Sequence, residues 1–439
     1  MPIPTYTATD SILASVNAIG AAVTRLQATA IDVRDHGSVA DGVTDNRAAI
    51  LAAIAAATAG ASGNFEYSTT GHRAIIFPQG VFAFSGVIDV PNYVDLRGAG
   101  KTLTTLKALG ATAQIKFGSI TTFAAGSDHR HGRIGGFSVD GNNVALRPLV
   151  FGFQAGGIVQ DIGVHNSAGD GVVFASAQNM QVFGLVVMDC AGVGIVHDLS
   201  CGGISIYAPH VGRCGSAWVS YVQTAVTGLA YAAPQDNSIY DPIFEYLVRA
   251  GGLGHTADRM IYHGAGVQNA IIGAIIGGWD ATKAVSLVKM EKAGTPSSVG
   301  FRITDSVLGG SLTHSTAFDL GNETRLVLSG VNDVSQNATV FKLRGGSSFV
   351  ESGADRVIYQ AGTVATYFDG TAVAFEDFNI RTNVRYATVD VGFKIGGVAN
   401  ITPKVNPGGC VKGDLNVGTD GKLYVCSAAN VWTVVGTQV

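Results

Sequence analysis

Apolar and polar positions alternate in short bursts along most of the chain, and glycine, asparagine and aspartate separate the bursts. Alternation in runs of about four to eight residues between such punctuation predicts strands joined by tight turns. Two stretches depart from it. Near the start, Ile12, Val16, Ile19, Val23 and Leu26 are spaced 4, 3, 4 and 3 residues apart behind Asp10. This heptad stripe predicts a short amphipathic helix that packs either on its own domain or on copies of itself; a parallel trimer is the expectation. Residues 31–34 then read as a strand leading through Gly37 and Gly42 into a second helix. Thr44 is its expected N-cap, and Ala49, Ile50, Ala53, Ile54 and Ala57 its buried face.

The alternation also repeats at long range. Residues 161–174 align with 184–197 at a period of 23, setting Ile162 onto Leu185, Val164 onto Val187, Gly169 onto Gly192 and Gly171 onto Gly194. The next unit follows 24 residues on, with Val187 onto Val211 and Cys190 onto Cys214, and Val139 precedes Val164 by 25. IYAPHV from Ile206 matches IYDPIF from Ile239 at 33, so the stretch between Trp218 and Ser238 carries an insertion. Units that can hide their apolar side only against neighbours predict a solenoid. At about 4.8 Å per coil, about a dozen coils of parallel strands would stack to about 60 Å.

Val33, Asp35, Gly37, Asp41, Gly42, Thr44, Asp45, Ala49, Ile50, Ala53 and Ile54, then Phe77, Pro78, Gly80, Leu96, Gly98, Gly100, Thr105 and Leu106, together resemble the opening of the pectate-lyase-like superfamily. His36 and Ala40 depart from it, where Phe and Gly are usual. The resemblance implies an all-β fold: a right-handed parallel β-helix with an N-terminal capping helix. It implies no one activity, because pectin hydrolases, lyases, sugar epimerases and bacteriophage tailspikes share this opening. The expected organisation is a helical stem over 1–30, a β-helix over 31–375 and a small C-terminal β domain over 376–439. The segment GDLNVGTDGKLYVC of that domain resembles short C-terminal modules of phage tail proteins. Stem, β-helix and terminus together look most like a bacteriophage tailspike. That implies a homotrimeric virion protein, attached to tail or baseplate proteins through its N-terminus and acting at the host surface on a bacterial surface polysaccharide. A non-catalytic tail adhesin or structural component, and a bacterial polysaccharide lyase or hydrolase, stay open as alternatives.

Composition narrows the partners. The 439 residues are 47% hydrophobic and 14% charged, with 59 glycines, which fits a turn-rich folded chain. A net charge of -4 without a basic cluster speaks against nucleic acid, and no apolar run is long enough for a membrane span. The N-terminus carries no secretory pattern. Five cysteines without a CxxC pair, and no histidine pair at ligand spacing, give no reason to expect a metal or other cofactor. Ser167, Cys190 and Cys214 fall at one repeat position and read as a stacked structural column, while Cys410 and Cys426 either pair or stay free.

If Val139, Val164, Val187, Val211 and Phe244 point inward, their followers Asp140, His165, Met188, Gly212 and Glu245 form one outward column. Gly141, Asn166, Asp189, Arg213 and Tyr246 follow in the adjoining turn, and Ser138, Gly163, Val186, His210 and Ile243 lie on the other side. The face is either ordinary solvated surface with an Asp189–Arg213 pair or a glycoside-hydrolysing site, which needs two carboxylates. For the second reading Asp170, Asp189 and Glu245 are the candidate catalytic carboxylates, with Asp140, His165, His210, Arg213, Trp218 and Tyr246 as substrate contacts. Asp170 falls where the polygalacturonase pattern has its first aspartate, but Ala191–Val193 and Cys214–Ser216 replace that family's aspartate pair and histidine. His255, Arg259, Tyr262 and His263 form a weaker, lyase-like group. Residues 97–102 imitate a phosphate-binding loop but fit a β-helix corner better.

Overall fold

A computed structural model describes residues 30–59, 73–91, 94–118, 133–152, 156–198, 201–221, 234, 236–245, 259–264, 266–277, 285–291, 299–310, 315–321, 324–334, 337, 339–344, 349–358, 364–369, 415–417, 423–428 and 431–434. The chain divides into two compact units, 1–387 and 388–439. The expected stem lies outside the described residues.

In the first unit the alternating segments form a right-handed parallel β-helix with a 19-stranded and an 11-stranded sheet. One coil shows the plan. Strands Gln181–Phe183 and Val186–Met188 belong to the larger sheet and Val193–Asp198 to the smaller; Ser205–Tyr207, His210–Gly212 and Ser216–Tyr221 repeat them one coil on. Val139, Val164, Val187, Val211 and Phe244 are paired in that order across neighbouring strands, so the spacings of 25, 23, 24 and 33 are those read from the sequence. All five are at most 1% exposed. Removing these rows from water is the main force holding coil to coil. In the smaller sheet Phe117, Phe151 and Phe174 stack at 5.2 Å each, and the row continues into His197.

The first coil is covered by the helix Arg47–Thr58, which buries Ile50, Ala53, Ile54 and Ala57. Its start differs from expectation. Thr44 does not cap it, because Asp41 engages both the Thr44 amide and hydroxyl at 2.8 and 2.6 Å. Those bonds, the hydroxyl first, hold the Asp41 carboxyl down at about 2. The N-cap residue is Asn46, without a side-chain cap bond, and Asp45 just before it accepts the amides of Arg47 and Ser85 at 3.0 Å each. Buried Asn46 accepts from the Val39 amide and donates to the carbonyls of Val39 and Ala83, tying the helix to the coil.

The second unit contains three antiparallel strands, Leu415–Val417, Leu423–Ala428 and Val431–Val434. Cys410 lies outside the described residues. Among the described residues no helix is long and apolar enough to cross a membrane.

Candidate functional site

The inward valines fix the outward column. Asp140, His165, Met188, Gly212 and Glu245 follow one another in register on five neighbouring strands. Three of these strands then enter a corner through a left-handed residue, with φ of 54° at Asn166, 59° at Asp189 and 52° at Arg213. Asparagine and aspartate tolerate this region better than most residues, and arginine there is held by its pairing.

That pairing is bidentate. Arg213 Nε and Nη2 donate to the two Asp189 carboxylate oxygens at 2.7 and 2.6 Å. Hydrogen bonding to Asp189 raises the Arg213 pKa above its ordinary value. His210 Nε2 lies 3.2 Å from Glu245 Oε2, both about one-third exposed. Glu245 leans back over Gly212, and a Cβ there would meet its Oε2 at 3.4 Å and Met188 Cε at 3.0 Å. One coil stack toward the N-terminus, His165 Nδ1 lies 3.5 Å from Asp140 Oδ1, which accepts from the Asn142 amide and Asn166 Nδ2 at 2.8 and 3.1 Å. The result is a polar strip five coils long: Asp140 with His165, Asp189 with Arg213, and Glu245 with His210. Asp189 and Glu245 belong to coils two apart, about 10 Å along the stack, with Arg213 on the coil between them.

Asp170 is elsewhere. It is in register with Val193, four residues past Asp189, at the far end of the corner; its carboxylate accepts from the Val193 amide at 3.1 Å and from Arg147 Nε at 3.2 Å. There it lines an open groove of about 520 Å³ with Val87, Gln114, Leu146 and Arg147. The three carboxylates therefore do not form one constellation.

Trp218 requires a correction. It is fully buried, in register with Ile195 and Ile261, and donates from Nε1 to His197 Nδ1 at 3.3 Å. Its strand faces the core at that position, so it offers nothing to a ligand. Tyr246 lies outside the described residues. So does His255; His263 is buried and its Nε2 lies within 3.2 Å of the Gly266 and Gly300 carbonyls, while the Arg259 guanidinium sits 4.1 Å from the centre of the Tyr262 ring. Buried Ser167, Cys190 and Cys214 form the expected column, and hydrogen bonding between the two thiols together with burial pushes Cys190 well up. A thiol so placed is unreactive. Residues 97–102 form a coil corner, with Lys101 3.3 Å from Asp161. Among the described residues no three metal-capable side chains converge.

Sequence reasoning missed an outward aromatic ladder. Phe183, Tyr207 and Tyr240 stack on successive coils at 4.8 and 4.9 Å, nearly parallel. The aligned IYAPHV and IYDPIF repeats contained the signal: an aromatic residue just before each left-handed corner residue, Ala208 and Asp241. Because the rings cover one another's faces, they show solvent their edges.

A family model described as rhamnogalacturonase A/epimerase, pectate lyase-like, matches residues 30–132. Among solved structures the chain is similar to ORF18 of Geobacillus virus E2, with a TM-score of 0.54 and 15% identity over 84% of this chain and 66% of that one. It is also similar to a variant tailspike protein of E. coli bacteriophage HK620 in complex with a hexasaccharide, with a TM-score of 0.53 and 12% identity over 79% of this chain and 65% of that one. The chain thus spans just under two thirds of the length of each. No curated protein sequence matches it. At these identities the likeness is one of fold: the chain is a right-handed parallel β-helix whose opening coils resemble the pectate-lyase-like family and whose structural neighbours include a phage tailspike.

Proposed function

We propose that this protein is a tailspike-type receptor-binding protein of a phage virion that binds an extended bacterial surface polysaccharide along the outward strip. The observation that carries the reading is the strip itself, where three acid–base pairs line one face of five successive coils in a chain that is only 14% charged. Arg213, His165 and His210 donate to sugar hydroxyls and carboxylates; Asp140, Asp189 and Glu245 accept from sugar hydroxyls. The tailspike likeness supports the virion setting, with residues 1–30 as the trimerising and tail-attaching stem and 376–439 as a terminal β module.

Hydrolysis is the second reading, and one observation favours it. Asp189 and Glu245 lie on the coils either side of Arg213, which puts two carboxylates on one stretch of the strip, the number that glycoside hydrolysis needs. Glu245, paired with a histidine rather than an arginine, suits the acid; Asp189 suits the base. Asp170, held by Arg147 in its own groove, serves as a further contact.

The test is incubation of the purified protein with a panel of capsules and lipopolysaccharide O-antigens, following retention, product size, new reducing ends and absorbance from unsaturated uronates. Retention of one glycan without cleavage supports binding alone. Reducing ends without the absorbance support hydrolysis, and Glu245→Gln should then abolish cleavage while leaving retention within about threefold. Retention of none overturns the reading.

A further inference from the structure

Past Glu245 the outward face changes character. Ile243, Ile275 and Val307 occupy the same outward position on three successive strands and are 41%, 54% and 46% exposed. The column beside them opens: Glu245 is followed one coil on by Gly277, and a Cβ added there would meet nothing within 4 Å. Gly277 is absent from the positions with positive φ, so neither backbone nor packing demands glycine. At the end of the strand Ile275–Gly277 the missing side chain leaves room for something else to approach the backbone closely.

Resting on the polysaccharide reading above, we infer that this row of aliphatic side chains beside the bare floor at Gly277 is a subsite for methyl-bearing sugars, 6-deoxyhexoses or N-acetylhexosamines, of a single extended glycan chain. The row is one residue wide, far short of the roughly 800 Å² that each partner contributes to a standard protein interface. An elongated polymer fits such a stripe and a globular partner does not. Successive coils advance about 4.8 Å, comparable to one pyranose unit, so three coils meet about three sugars. Ile and Val offer no hydrogen bond, so a hydroxyl set against them loses its water without replacement, while a methyl group gains from leaving water. The row joins the polar strip at Glu245, two residues from Ile243 on the same strand. A glycan lying along both would meet donors and acceptors at one end and an apolar rail at the other.

The test uses the panel above, with a rhamnose-backbone O-polysaccharide, an N-acetylglucosamine-containing O-polysaccharide and methyl-free dextran among its members. Wild type is compared with Ile275→Thr, which keeps β-branching while replacing apolar carbon by hydroxyl, and Gly277→Val, which fills the floor. Retained polymers should carry 6-deoxy or N-acetyl groups, and which of the two is retained identifies the source of the methyl. Each variant should weaken retention roughly tenfold, the low end for a methyl-sized apolar contact, at an unchanged Tm. Free L-rhamnose or N-acetylglucosamine should compete where mannose does not, a measurement that needs no variant. Equal retention by wild type and both variants, or retention of dextran alongside the others, overturns the subsite and leaves the polysaccharide reading standing. Retention of nothing in the panel overturns both.

Discussion

Inside the smaller sheet two histidines occupy positions that phenylalanine fills elsewhere in the same row. His197 accepts the Trp218 indole proton on Nδ1, so in the neutral ring its own proton sits on Nε2, which is buried without a hydrogen-bond partner; His263 Nδ1 is likewise buried and without one. Burial, with a smaller push on His197 from the neighbouring charge of His263, holds these groups neutral and lowers them to about 3 for His197 and about 4 for His263. The unfolded chain takes up protons near 6.5 that the folded one refuses, so stability is full above about pH 6.5. It falls as pH drops toward about 4 for His263 and about 3 for His197, by up to about 1.4 kcal/mol per pH unit for each histidine. A Tm series from pH 7 to 4 should show this slope, and His197→Phe, which extends the phenylalanine stack, should flatten it while costing about 1–3 kcal/mol at pH 7 for the lost indole bond. A slope unchanged in the variant would place the acid sensitivity elsewhere. Trp218 shows where single-residue reading stops. The valine repeat anchored the strands of the larger sheet, whereas in Ser216–Tyr221 both Trp218 and Ser220 are fully buried, so alternation of polarity could not say which side was core.

Elements carry the same logic across coils. The left-handed corner row runs through Asp161, Gly184, Ala208, Asp241, Gly273, Asp305 and Gly330, and the Asp241 and Asp305 carboxylates lean over Gly273 and Gly330 on the following coils. Each aspartate uses the space its glycine leaves empty. Gly273→Ala, at φ +70° and into the Asp241 carboxylate, should cost about 1–3 kcal/mol, and Asp241→Gly in the same chain should recover only the steric part. Urea unfolding of the two variants separates strain from collision. In the aromatic ladder, Tyr207→Ala removes two stacking contacts at once and should cost about 1–3 kcal/mol beyond the burial it loses, against half that for Phe183→Ala at the end of the row. At this scale the sequence was highly legible. A spacing of 23 to 33 residues between matching inward residues placed Asp140, His165, Asp189, His210, Arg213 and Glu245 on their strip, because register follows once the inward row is known. What it did not reveal was which carboxylates meet: Asp170 and Asp189 are close in the repeat but lie at opposite ends of a corner whose path the alternation does not describe.

For the whole molecule, the stacked coils and the heptad stripe make separate demands. The coils bury their core within one chain, whereas Ile12, Val16, Ile19, Val23 and Leu26 offer an apolar stripe that packs either on its own domain or, as proposed, on copies of itself. We expect sedimentation to give a trimer for the full chain and a smaller species for one lacking residues 1–29, with the same Tm for the β-helix in both; a full chain that sediments as a monomer would remove the stem from the proposal. The unequal spacings of 25, 23, 24 and 33 residues have a further consequence. Strand register is unbroken across all of them, so the added length between Trp218 and Ser238 leaves this inward row in step. Segments between strands can therefore be lengthened, shortened or exchanged while the rows stay in step, which separates the rate at which loops can evolve from the rate at which the fold can.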